Sequence, residues 1–185
     1  MKLLFKQRLF SWFDSYDIYD EFGNTVYVVK GQLSWGHKLV IYDADGNEIG
    51  MVVQRVLTFL PKFEIYKNGT YIGCLSKEIS FLTPHYNIDY NGWHIDGSIM
   101  EWDYNILDQR GYSVASVSKE LFHMTDTYVI QVNEPEYALD ALMFVSPFFT
   151  LRASSMLGRS PFSNKTSTTG PITCIIMPLF IHRLL

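Results

Sequence analysis

The chain lacks the raw materials of most familiar chemistries. It has two cysteines, Cys74 and Cys174, in 185 residues. Two isolated thiols build neither a disulfide framework nor a metal site at ligand spacing, so a reducing cytoplasm is the expected setting. No apolar run reaches the ~18 residues a membrane helix needs. At the start, Lys2 and then Lys6 and Arg8 interrupt the apolar residues before a signal-peptide core could form. There is no basic excess either. Fifteen Lys and Arg face 19 Asp and Glu, a formal charge of −4 with pI near 5.7. That excludes the electrostatic footprint of a general nucleic-acid binder. Acid is itself missing from one region. All 19 acidic residues precede Ser146, whereas residues 146–185 hold only Arg152, Arg159, Lys165 and Arg183 among much Ser, Thr and Pro. Residues 1–145 therefore carry a net charge of −8. Two regions are expected: one domain over residues 1–145, and an atypical, basic, irregular tail over residues 146–185.

What the chain has is aromatic residues and a repeat. With 12 Tyr, 13 Phe and 4 Trp, it suits pleated, half-buried surfaces better than helices. Glycines stand at 23, 46, 69, 92 and 111, and three residues after each comes Val26, Ile49, Ile72, Ile95 or Val114. Four or five residues before each comes Ile18, Ile41, Ile65, Ile88 or Ile106. Such a unit reads as a β-hairpin. Asp45-Gly46, Asn68-Gly69 and Asn91-Gly92 are dipeptides of tight turns with positive φ, while Phe22-Gly23 and Arg110-Gly111 suit longer loops with one left-handed residue. Ile49, Met51 and Val53 alternate with Gly50, Val52 and Gln54. Val26 and Val28 oppose Tyr27 and Val29, and two apolar rows predict a strand covered on both faces.

Five hairpins give ten strands, with one more around Leu3 to Phe10 and another over residues 127–132. An antiparallel meander of about 12 strands is expected to close into a barrel, since closure removes its edges. So wide a barrel needs a filler. Asn133-Glu134-Pro135 reads as a helix start, and residues 136–145 become apolar on nearly every face, as a buried helix does. Ala138, Leu139, Ala141, Leu142, Phe144 and Val145 are expected to be among the most buried residues. Pro147 is expected to stop or kink this helix, leaving Phe148, Phe149 and Leu151 as an awkward plug and residues after about 155 poorly packed.

Three stretches carry a family resemblance: Lys6-Gln7-Arg8-Leu9-Phe10-Ser11-Trp12, Ile18-Tyr19-Asp20-Glu21-Phe22-Gly23-Asn24, and Gly36-His37-Lys38-Leu39 with Ile41-Tyr42-Asp43. They resemble the LURP-one-related family, which belongs with the tubby C-terminal-like and phospholipid scramblase proteins. The resemblance covers residues 1–145 and implies a 12-stranded barrel around a central hydrophobic helix near the C-terminus. Tubby relatives imply phosphoinositide binding, and scramblase relatives imply lipid contact. The family helix would run on as an apolar helix past Val145. Here Ser146-Pro147 and an acid-free tail depart from it, as a frame-shifted or fused end would.

Candidate sites compete with plainer readings. Asp43-Ala44-Asp45-Gly46-Asn47-Glu48 has its glycine fourth, not sixth as an EF-hand loop requires, and reads as a hairpin turn. His37, His85, His94, His123 and His182 lack metal-ligand spacing and read as packed or surface residues. No Gly-x-Ser-x-Gly elbow, phosphate-cradling loop or Cys-x-x-Cys is present, and Cys74 reads as a small buried hydrophobe. No catalytic residue, cofactor or metal is expected. Lys77-Glu78 and Lys119-Glu120 read as surface charge pairs. The apolar stretch of residues 172–181, broken by Pro178, is too short to be a membrane anchor. One candidate remains: Lys2, Lys6 and Arg8 share a strand face and could touch anionic phospholipid headgroups, against the plainer reading of a solvated face guarded by lysines. The expected function is a non-enzymatic binding or regulatory module of unknown partner. A phospholipid- or phosphoinositide-interacting protein is the first alternative, and an enzyme of unknown chemistry the second.

Overall fold

A computed structural model describes residues 1–6, 15–34, 36–78, 85–89, 91–99, 101–120 and 127–157. The five hairpins are β2 (Ser15–Tyr19) with β3 (Thr25–Ser34), β4 (Gly36–Asp43) with β5 (Glu48–Gln54), β6 (Lys62–Lys67) with β7 (Thr70–Glu78), β8 (His85–Ile88) with β9 (His94–Ser98), and β10 (Asp103–Leu107) with β11 (Ser113–Glu120). Strand β1 (Lys2–Lys6) precedes them and β12 (Thr127–Val132) follows. All pair antiparallel in one sheet, in sequence order from β2 to β12. Strand β1 lies alongside β12 over five residue pairs and meets β2 through Leu4↔Tyr19 and Phe5↔Ile18. The ladder between β8 and β9 has one pair, Asn87↔His94. One helix, α1 (Ala138–Leu157), ends the described chain.

The repeat has a physical content that spacing alone did not reveal. Ile18, Ile41, Ile65 and Ile106 are all buried against the core, and in each hairpin the register shifts between that isoleucine and the residue after it. The unit is thus an inward isoleucine, a bulge and a glycine turn. A bulge adds twist to its strand, so four such bulges curl the sheet toward the helix.

Only one of the three expected tight dipeptides is a two-residue turn with both φ positive: Asn68 (50°) and Gly69 (74°), with Lys67↔Thr70 closing it. At Asp45-Gly46 and Asn91-Gly92 only the glycine is left-handed. Asp43 explains the first case. Its carboxylate accepts from the amides of Asp45 (3.0 Å) and Asn47 (2.8 Å) and from the Asn47 side chain (3.0 Å), while the Gly46 amide donates to its carbonyl. Asp20 organises residues 20–24 the same way, and Asp108 residues 108–112. An aspartate three residues before the glycine thus selects the longer loop, and the Asp43 carboxylate is engaged in the turn.

These bonds, with the Asn24 and Asn47 side chains foremost, hold the Asp20 and Asp43 carboxyls below the usual carboxylate range. A depressed folded-state pKa contributes stability that is present above the unfolded value and lost as pH falls through the folded one. The melting temperature is therefore expected to fall as pH drops below about 4. The double variant Asp20→Asn, Asp43→Asn should lose less over the same interval. Parallel acid curves for the two proteins would refute this source of pH dependence.

Strand alternation is as expected in β5, where Gly50 and Val52 face the core while Ile49, Met51 and Val53 are half-buried. Strand β3 differs from expectation. Val29 is buried, but Val26 and Val28 are only half-buried, so its outer row is not covered by a second layer.

The helix also differs. A short 3-10 turn, Pro135–Tyr137, leads into α1 with Pro in its first turn, as its fixed φ favours. Ala138, Ala141, Leu142, Met143, Phe144 and Val145 are essentially inaccessible, and Leu139 is half-buried. Of the expected stop or kink at Pro147, the stop does not occur: α1 continues through Pro147 to Leu157. Proline inside a helix costs about 3 kcal/mol, and packing outweighs it. Phe149 stacks on Trp102 at 4.3 Å and lies 4.1 Å from Phe5, while Phe148 meets Tyr86 edge-on at 4.9 Å. Burying two phenylalanines contributes roughly 3–6 kcal/mol, and aromatic pairs add about 0.5–1.5 kcal/mol each. Ser146 Oγ donates to the Leu142 carbonyl at 2.6 Å, which gives this buried hydroxyl a partner. Phe148 and Phe149 are thus core residues rather than an awkward plug. The side chain of Leu151 and all of residues 158–185 lie outside the described residues.

Candidate functional site

The sheet has two ends of different character. At the glycine-turn end lie Asp20, Glu21, Asp43, Asp45, Glu48 and Asp108, and α1 enters there behind Glu134 and Glu136. Lys67 of β6 fixes the helix entrance, its Nζ 3.0 Å from Asp140 Oδ1. An acid in the first helical turn also suits the helix dipole.

The interior is aromatic with a few hydroxyls. Tyr104 is buried, and among the described residues nothing partners its hydroxyl. Burial drives its pKa far above the usual tyrosine value. The Tyr16 hydroxyl faces Ser146 without reaching hydrogen-bond geometry, and burial raises its pKa as well. An unsatisfied buried hydroxyl costs about 1–3 kcal/mol. Tyr104→Phe is therefore expected to hold or raise the melting temperature. A clear fall would show that the hydroxyl has a partner.

The basic row is only partly in view. Leu3 and Phe5 are buried, so Lys2 and Leu4 take the outward parity of β1, and Lys2 is exposed. The Lys2 amide donates to Glu21 Oε2 at 3.2 Å, which brings a carboxylate beside this end of the row. Lys6 pairs through its backbone with Thr127, while its side chain and all of Arg8 lie outside the described residues.

The other candidates resolve mostly as packing. Cys74 is buried, and burial pushes its thiol pKa up, as for an inert thiol. His37 is half-buried, and desolvation lowers its pKa. His85 and His94 lie on the paired strands β8 and β9. Among the described residues no three His, Cys, Asp or Glu side chains gather as a metal site. His123, His182 and Cys174 lie outside the described residues, as do the side chains of Lys77 and Glu78. Lys119 is half-buried with Nζ 5.8 Å from the Tyr128 ring centroid, so the Lys119-Glu120 stretch is more than a surface charge pair.

One surface escaped the sequence reading. At the end opposite the glycine turns, residues 55–61 join β5 to β6, and Val56, Leu57 and Phe59 are exposed at 45%, 102% and 79%. The neck is tied by the Arg55 amide, which donates to the Lys62 carbonyl at 2.9 Å, and by Arg55 Nη2 at 2.6 Å from Glu64. Leu57 has a left-handed φ of 66°. A signal was present: residues 56–61 are an uncharged, largely apolar run in a connection between two repeats, where turn chemistry predicts polar residues.

The sequence signature of the family described as LURP-one-related matches residues 1–146. The chain is also similar to the uncharacterized protein YxjI of Bacillus subtilis, at 29% identity over 140 residues, covering 75% of this chain and 86% of that protein. No solved structure matches.

Proposed function

Because the chain belongs to the LURP-one-related family, we propose that it is a non-catalytic binding or regulatory module: a barrel closed around its own helix and acting through its outer surface. The observation that carries this reading is the filled interior. Ala141, Leu142, Met143, Phe144 and Val145 each have no exposure at all, so α1 occupies the space where a wide barrel would hold a ligand. The pairing of β1 with both β12 and β2 supports closure. The buried free thiol of Cys74 suits a reducing, cytoplasmic setting. Among the described residues no helix is long and apolar enough to cross a membrane.

Native mass spectrometry of the purified protein tests the reading. The mass is expected to be that of the chain alone, and a panel of small metabolites is expected to leave its melting temperature unchanged. A stoichiometric internal ligand, or turnover of a substrate, would overturn it.

The exposed Lys2 on the outward face of β1 favours a second reading, contact of Lys2, Lys6 and Arg8 with anionic phospholipid headgroups. The net −8 of residues 1–145 opposes general attraction, so such binding should be weak and should weaken further with salt. Charge reversal at Lys6 and Arg8 is expected to abolish it, and undiminished binding by that variant would discard the row.

A further inference from the structure

We infer that the connection between β5 and β6 is a membrane-interface tip, inserted into the polar–apolar boundary of a lipid bilayer through Leu57 and Phe59. This rests on the outward-acting reading above and is independent of the Lys2, Lys6 and Arg8 row.

The shape points to this occupant. Three apolar side chains project from one short loop, and two of them are more than three-quarters exposed. Isolated exposed apolar residues need no explanation, but a cluster that protrudes together does. Leu57 adopts a conformation that costs an L-residue about 1–2 kcal/mol, so its outward position is held by the loop at some expense. The tip is also braced at its base. A Cβ on Gly36 would lie 2.8 Å from the Gln54 carbonyl and 3.0 Å from Val56 Cγ1, so the start of β4 packs closely against it. The His37 amide donates to Gln54 Oε1 at 3.3 Å from the same side.

Charge placement selects a bilayer over a protein groove. Residues 56–61 carry no charge, while Arg55 and Lys62 stand exposed at the two ends of the run. Arg55 is paired with Glu64 but keeps 60% of its side chain exposed, and with Lys62 it leaves a net positive rim beside the apolar tip, which matches the layered chemistry of a phospholipid surface: acyl chains inside, phosphates above. The carboxylates of the glycine turns lie at the far end of the sheet, while at the tip's own end Glu64 is held by Arg55 and Glu101 stands on the connection between β9 and β10.

Co-sedimentation of the full-length protein with phosphatidylcholine vesicles, with and without phosphatidylserine, tests the inference at low and high salt. The protein is expected to sediment with vesicles and to keep most of its binding at high salt, because apolar insertion is not screened. The variant Leu57→Asp, Phe59→Asp should lose about tenfold in binding with an unchanged melting temperature, since both side chains are exposed. The milder Leu57→Ser, Phe59→Ser should lose binding too. Phe59→Trp should retain it, with tryptophan emission shifting to the blue on addition of vesicles beyond any shift of the unsubstituted protein. Lys2→Glu with Lys6→Glu should bind as the parent does.

Two results would overturn the inference. If the parent protein binds neither vesicle, the tip faces a protein partner and the outward-acting module still stands. If the aspartate variant binds undiminished while the Lys2, Lys6 variant fails, the headgroup row is the lipid contact and the tip is not.

Discussion

Replacing Phe144 by alanine is expected to lower the unfolding free energy by about 3–5 kcal/mol. Phe144 is among the largest fully buried side chains, and it lies in the middle of α1 with Phe148 6.2 Å away. The strands packed on the helix are held in hydrogen-bonded ladders, so the void has no flexible wall to collapse it, and collapse is what lowers the cost of such substitutions. Against a margin of about 5–15 kcal/mol for a domain, this one change should bring the protein near its threshold. The measurement is urea unfolding, read as a drop in midpoint at unchanged slope. A loss below about 1 kcal/mol would mean that α1 is not the core the burial implies.

Gly97→Ala is expected to cost about 3 kcal/mol, the sum of a left-handed backbone and a forced steric shift. Gly97 lies on β9 opposite Tyr104, with φ of 118°. A Cβ there would stand 2.7 Å from the Asp103 carbonyl and 2.8 Å from Tyr104 Cα, both backbone atoms with no freedom to yield. Gly46→Ala is the control, because that glycine has a comparable positive φ (86°) but open space around it. It should cost only the backbone part, about 1–2 kcal/mol. The comparison of midpoints separates strain from contact. Equal losses at the two sites would remove the steric half of the argument.

Much of the architecture was legible in the chain because glycine spacing and alternation are local signals. Each turn needs a residue that tolerates positive φ, and each strand announces its inner face with period two. The hairpins at Gly23, Gly46, Gly69, Gly92 and Gly111 follow from that, as does the last strand over residues 127–132. The helix start was legible too, since Pro135 behind an extended Glu134 is a feature of a few adjacent residues. The Asp-x-x-Gly turns were misread at Asp43 because the dipeptide was weighed without the carboxylate three residues earlier.

The candidate site was less legible. Lys2, Lys6 and Arg8 were singled out by parity and charge, but parity says nothing of Glu21, which only pairing of β1 with β2 brings to the Lys2 amide. Leu57 and Phe59 were passed over because apolar residues in sequence are presumed buried. Whether a connection tucks in or projects depends on its neighbours, here Gly36 and the Arg55–Lys62 neck.

By itself the sequence determined the hairpin units and the identity of the filling helix, for each is written in residues close together along the chain. Tertiary structure alone decided what becomes of Pro147. Helix propensity ends α1 there, and no local signal argues otherwise. The partners that carry the helix onward, Phe5, Tyr86 and Trp102, come from three distant stretches of the chain. Their combined packing exceeds the proline's cost of about 3 kcal/mol, and that sum exists only once the sheet has wrapped around the helix.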